Sequence, residues 1–164
     1  MKNRNFILTA ALIVSFAGLV LYSNAMGGAE HSKQWNTVRK PKQMLDLADK
    51  NNTDYILVKF TGSDWCPPCI QLQKNVLSKT PFKNYAKENL LLVLVDFPKR
   101  KQISQKQIEA NYGLREHYKA NKGLPTLILL NRKGEVLKRW LGYFTNSPQD
   151  FIENIERVIA EKNS

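Results

Sequence analysis

The run Tyr55-Ile56-Leu57-Val58-Lys59-Phe60-Thr61-Gly62-Ser63-Asp64-Trp65-Cys66-Pro67-Pro68-Cys69 decides how this chain folds. Tyr55 to Phe60 is short, apolar and β-rich, the pattern of a buried strand. Thr61-Gly62-Ser63-Asp64 breaks it. From Pro67 the pattern is helical: proline is tolerated in a first turn, and Ile70, Gln73, Val76 and Leu77 share a face. Strand, turn and helix in that order set Cys66 at the N-terminal end of the helix and Cys69 one turn further in. Unpaired N–H groups and the helix dipole stabilise a thiolate there. A free thiol has a pKa of about 8.5, and in a Cys-x-x-Cys pair it can fall to about 7 or far lower. Only the thiolate attacks a disulfide, so Cys66 is the expected attacker and Cys69 the resolver.

Outward from this unit the elements follow in a regular order. Pro41 is placed to open a helix reaching about Lys50, with Met44, Leu45 and Ala48 on one face. Thr80-Pro81 interrupts the helix after Cys69, and a further helical turn is expected through Phe82, Tyr85 and Ala86. Leu90 to Val95 is a second buried strand. Pro98 to Gln107 is a basic, polar loop, and Ile108, Tyr112 and Tyr118 suggest a helix that Gly113 weakens. Thr126 to Leu130 is a third strand, Asn131 to Gly134 a turn, and Glu135 to Leu141 a return strand, giving an antiparallel hairpin. Ser147 caps a last helix whose apolar face is Phe151, Ile155, Val158 and Ile159. Strands joined through helices are expected to pair in parallel, with the hairpin adding an antiparallel edge. The fold class is α/β: a central mixed sheet flanked by helices, in one domain over 41–164. Residues 26–40 read as a polar lead from which Trp35 and Val38 dock on the core.

The bulk composition fits one domain: 164 residues, 43% of them hydrophobic. The net charge of +11 is scattered along the chain, which reads as a solvated basic surface. No nucleic-acid module signature is present, and no such partner is expected. The two cysteines are the only ones in the chain. A bridge across so short a loop removes little unfolded-state entropy, so redox chemistry or metal binding explains the pair better than stability does. His31 and His117 read as surface residues and do not complete the four ligands of a zinc site; no metal is expected. At the N-terminus, Lys2 and Arg4 precede an apolar run from Phe6 to Leu21 and the small residues Ser23-Asn24-Ala25, the pattern of a secretory signal peptide over 1–25. Cleavage is expected after Ala25, with Ala29 as a second site; an uncleaved N-terminal anchor is the alternative. Either way the domain is expected to work outside the cytoplasm, in the periplasm, as a monomer.

Trp65-Cys66-Pro67-Pro68-Cys69 resembles the active-site run of the thioredoxin family, and Gly123-Leu124-Pro125-Thr126 resembles its second signature. The resemblance covers roughly residues 41–160, and Phe60 to Cys66 looks like the exported bacterial branch. It implies a thioredoxin-like fold with a cis Pro125 facing the cysteines. It also implies a substrate surface formed by Trp65, Leu124 and Thr126, the Leu124 backbone pairing with an extended substrate chain. The activity implied is dithiol–disulfide exchange with protein substrates, without an organic cofactor, supported by a redox partner in the membrane. The Trp-Cys-x-Pro-Cys form resembles the reducing members, so a reductant is expected; an oxidant or isomerase is the runner-up. Readings of another class are a redox-silent binding module and a metal-binding protein. One departure stands out. Thioredoxins carry a buried Asp in the strand before the motif, and the nearest position here is Lys59. A charged Lys59 would stabilise a thiolate, a buried one could be neutral, and a third outcome is that it snorkels to solvent. Asp64 and Glu109 are the candidate substitutes for the missing acid.

Overall fold

The computed structural model describes residues 34–163. Its elements are β1 (Trp35–Thr37), α1 (Pro41–Lys50), β2 (Tyr55–Thr61), α2 (Pro67–Leu72), α3 (Thr80–Asn89), β3 (Leu90–Asp96), α4 (Gln105–His117), β4 (Thr126–Asn131), β5 (Val136–Leu141) and α5 (Pro148–Asn163). A π-helical turn, Gln73–Leu77, continues α2. The strands form a mixed sheet in the order β1-β3-β2-β4-β5. This is the expected α/β architecture, with β2 at its centre.

Side-chain alternation along β2 divides the core in two. Ile56, Val58 and Phe60 join Met44, Ala48 and Leu114 on the face covered by α1 and α4. Leu57 joins Leu72, Val76, Phe82, Phe151 and Ile155 on the face covered by α2, α3 and α5. By the same alternation Lys59 follows Leu57 onto the second face, beneath the helix that carries the cysteines. It lies opposite Leu94 on β3 and Leu127 on β4.

Four expectations need correction. First, the lead before residue 41 contains a strand: β1 pairs in parallel with β3, Trp35 opposite Leu92. It is too short to show periodicity, and its backbone ladder, with an Asn36 side chain donating to the Leu92 carbonyl at 3.1 Å, holds it. Second, only β2 and β3 form a parallel pair through a helix. β4 runs antiparallel to β2, Phe60 opposite Thr126. Tyr118, just past α4, packs its ring against Phe60 near the end of β2, so the chain has not returned to the start of the sheet when β4 begins. Third, Ile70 is not on the buried face of α2; it is 44% exposed, and Cys69 and Leu72 are buried instead. Fourth, Tyr112 is likewise exposed on α4, whose buried residues are Asn111 and Leu114. Asn111 donates to the Asp96 carbonyl at 2.7 Å and accepts from Gln107 at 2.8 Å, a polar staple that hydrophobic periodicity cannot reveal.

The hairpin of β4 and β5 and the Ser147 cap are as expected: the Ser147 hydroxyl accepts from the Asp150 N–H at 3.1 Å. The 1–25 segment and His31 lie outside the described residues. Among the described residues, no helix is long and apolar enough to cross a membrane.

Candidate active site

Cys66 is the N-cap of α2, in extended conformation, with Pro67 and Pro68 in the first turn. Neither proline has an N–H, so the first backbone donor of this helix is Cys69. The stabilisation available to a Cys66 thiolate is therefore the helix dipole and few N–H groups, fewer than an ordinary N-terminus offers. The cysteines are joined as a disulfide, with Cα atoms 5.2 Å apart. Cys66 and Cys69 are only 5% and 3% exposed, so the bond is a covered one that substrate must approach from one side.

That side is bounded by Leu124-Pro125-Thr126. The Leu124–Pro125 peptide bond is cis, and the Leu124 carbonyl oxygen is 3.8 Å from Cys66 Sγ. The Pro125 carbonyl accepts from the Gly142 N–H at 2.8 Å. Thr126 is buried, and its hydroxyl donates to the Gly123 carbonyl at 2.8 Å. The Thr126 side chain thus braces the turn that presents Leu124, and its hydroxyl is already engaged.

Trp65 forms the other border. It is 36% exposed, and its Nε1 donates to the Phe97 carbonyl at 2.6 Å. The ring lies on Gly62, where a Cβ would come within 2.5 Å of it; only glycine leaves room for the indole. Asp64 fixes the same region. Its carboxylate accepts from the N–H groups of Lys99, Arg100 and Lys101 at 2.9, 2.8 and 2.8 Å. The Lys99 N–H foremost, then those of Lys101 and Arg100, hold its pKa down at about 2. A carboxylate so engaged is a loop anchor and not a proton acceptor. Glu109 is exposed on α4, paired with Gln105 at 3.0 Å. Neither takes the place of the missing acid.

Beneath the helix that follows the cysteines lies Lys59, and it does not snorkel: the residue is 7% exposed. Its ammonium donates to Gln73 Oε1 at 2.6 Å and stands 4.0 Å from the centre of the Trp35 ring. Gln73 donates in turn to Ser78 Oγ at 2.8 Å. Gln73 is four residues past Cys69, one helical turn and about 6 Å along the axis. Burial lowers the Lys59 pKa from 10.5 to about 8, and the charge of Asp96 opposes the shift. Near neutrality the group is mostly a cation, held under the helical segment one turn past Cys69. Asp96 itself accepts from the Ser63 N–H and hydroxyl at 2.9 and 2.6 Å.

The sequence therefore pointed to Cys66, Cys69, Trp65, Leu124, Pro125 and Thr126, and the fold brings all six to one end of β2 and β4. It read Trp35 only as docking on the core, and it did not single out Asp96 or Ser63, nor the role of Gln73. A lysine in an otherwise apolar strand was the available signal for a buried partner. A cavity of about 270 Å³ near Asp54, Asn131 and Arg132 opens at the opposite end of β2, away from the sulfurs.

A family model described as a thioredoxin-like domain matches residues 41–159. The disulfide bond reductase DsbH of Chlamydia pneumoniae is 32% identical over 104 residues, 63% of this chain and 61% of that protein. The thioredoxin-related protein DsbJ of the same organism is 32% identical over 91 residues, 56% of this chain and 26% of that protein. This chain thus matches less than two thirds of the length of either relative. A solved structure of a DsbH oxidoreductase superposes with a TM-score of 0.68 at 29% identity, covering 77% of this chain and 84% of that one.

Proposed function

This chain belongs to the thioredoxin-like domain family, and on that premise we propose that it is a thiol–disulfide oxidoreductase acting on protein disulfides outside the cytoplasm, in the reducing direction. The observation that carries the reading is the covered Cys66–Cys69 pair at the start of α2, with the Leu124 carbonyl 3.8 Å from Cys66 Sγ. The reduced form starts the cycle. The Cys66 thiolate attacks one sulfur of the substrate disulfide, forming a mixed disulfide and releasing the other substrate sulfur as a thiolate. The Cys69 thiolate then attacks Cys66 Sγ. The Cys66–Cys69 bond forms and the second substrate thiolate leaves, so two electrons have passed from protein to substrate. The Leu124 backbone offers an edge for an extended substrate segment, and Trp65 shields the sulfurs. Lys59 stabilises the thiolates, and above about pH 8 its neutral amine can accept a proton.

The reducing direction is supported by the similarity to a protein named as a disulfide bond reductase. Export rests on the signal-peptide pattern at 1–25, and a reductant in that compartment requires an electron donor, which we place in the membrane. Equilibration of the 26–164 chain in thiol–disulfide buffers, with free thiols counted by alkylation, tests the reading. A midpoint near about −270 mV is expected of a reductant, and one near about −120 mV would make the protein an oxidant. Failure of the two sulfurs to form a reversible bond at any poise would end the oxidoreductase reading.

A further inference from the structure

A basic loop borders the active site and is held rigidly against it. Asp64, two residues before Cys66, fastens the backbone of Lys99, Arg100 and Lys101. Trp65, the residue beside Cys66, is hydrogen-bonded to Phe97, and Lys99 Nζ stands 4.1 Å from the centre of its ring. All three basic residues are exposed, and none takes part in an ion pair among the described residues. Two carboxylates lie beside the loop and neither pairs with its cations: Asp64 accepts from backbone N–H groups, and Asp96 accepts from the Ser63 N–H and hydroxyl. Three cations outnumber the two carboxylates, so the patch beside the covered site is net positive and concentrates negative charge there. Trp65, beside Lys99, and Ile70, which follows Cys69, are exposed large apolar side chains of the same motif.

We propose that this loop is a specificity surface, and that the protein selects extended polypeptide segments in which acidic residues flank the disulfide. The inference rests on the thiol-exchange reading above. The segment would lie with its disulfide sulfur at Cys66 and its carboxylates toward Lys99, Arg100 and Lys101, while Trp65 and Ile70 give apolar contact. Such complementarity acts mainly on the encounter rate and fades with salt.

The test is a single-turnover reaction. The pre-reduced protein is mixed with disulfide peptides that differ only in flanking residues, acidic, neutral or basic, and with neutral hydroxyethyl disulfide. At low salt the acidic peptide is expected to react about tenfold faster than the basic one, narrowing to about twofold at ~0.5 M salt. In the triple variant Lys99→Gln/Arg100→Gln/Lys101→Gln the low-salt ratio should fall to about twofold as well. A triple variant at the opposite end of the sheet, Lys50→Gln/Lys133→Gln/Lys162→Gln, removes the same net charge and should keep the tenfold ratio. The ratio is the readout, so a general loss of rate does not mimic the effect. Equal rates for acidic and basic peptides, or a preference that survives neutralising the loop, overturn the proposal. No reaction with hydroxyethyl disulfide would instead overturn the thiol-exchange reading beneath it.

Discussion

Two lysines stand over tryptophan rings at nearly the same distance, Lys59 over Trp35 at 4.0 Å and Lys99 over Trp65 at 4.1 Å. Their surroundings differ. Lys59 is enclosed beneath α2, with Gln73 as its hydrogen-bond acceptor, and burial has drawn its pKa to about 8. Lys99 is exposed, on a loop fastened by Asp64. A cation over a ring is worth about 2 kcal/mol where water is excluded and about 0.5–1 kcal/mol where it is not. The same contact therefore has different consequences: the buried cation is enclosed with Gln73 under the helix that carries the cysteines, and the exposed one meets solvent.

The widest separation between the two is in stability. Lys59→Ala opens a void and leaves Gln73 Oε1 without its donor, a cost of about 2–4 kcal/mol that is expected in full near pH 10 and is partly offset at pH 7 by release of the buried charge. Lys99→Ala should cost under about 1 kcal/mol. Urea unfolding of both variants measures this, and equal costs would break the comparison.

The pH dependence sharpens it. The Lys59 pKa is about 8 when folded against an ordinary 10.5. Below pH 8 both states hold the proton and the burial penalty is in full force. Between 8 and 10.5 the unfolded chain keeps its proton longer, so stability rises with pH, by about 3 kcal/mol in all from this group. Tyr85, raised to about 12 chiefly by burial, works the other way above pH 10. The measurement is therefore wild type against Lys59→Met, in which Tyr85 cancels. The wild type should gain on the variant from pH 8 upward; parallel curves would show that Lys59 does not titrate as described.

The rim can be probed at Gly62. Gly62→Ala puts a methyl into the Trp65 ring, and a loss of about 1–3 kcal/mol is expected, with altered Trp65 fluorescence. The smallest effect on global stability is expected at Asp64. Its pKa, depressed by the Lys99, Lys101 and Arg100 N–H groups, makes its contribution full above about pH 4 and lost as pH falls through about 2. Asp64→Ala should leave the domain folded yet make trypsin cleavage after Lys99, Arg100 and Lys101 faster. Unchanged cleavage would mean the loop is held by something else.

The same contrast marks how far the sequence could be read. The strand, turn and helix through Cys66 were legible because each has a local cause: β-rich apolar residues, a Gly-containing break, prolines in a first turn. So was the Ser147 cap. β1 was not, because three residues carry no period and their partner, β3, lies far along the chain. The direction of β4 was not, because it depends on where α4 leaves the chain. At the site, the reacting sulfurs and the Leu124-Pro125 turn were visible as motifs. The fate of Lys59 was open, since its burial depends on Gln73 and Trp35, brought to it by two other elements. The anchoring role of Asp64 depends on a loop from beyond β3.

The most direct test of the central claim is to trap the intermediate. Reduced Cys69→Ser protein is mixed with a disulfide peptide and examined by intact mass and peptide mapping. A stable adduct through Cys66 is expected, and none from Cys66→Ser treated alike. An adduct through Cys69 in the Cys66→Ser protein with equal yield, or no adduct from either, would contradict it.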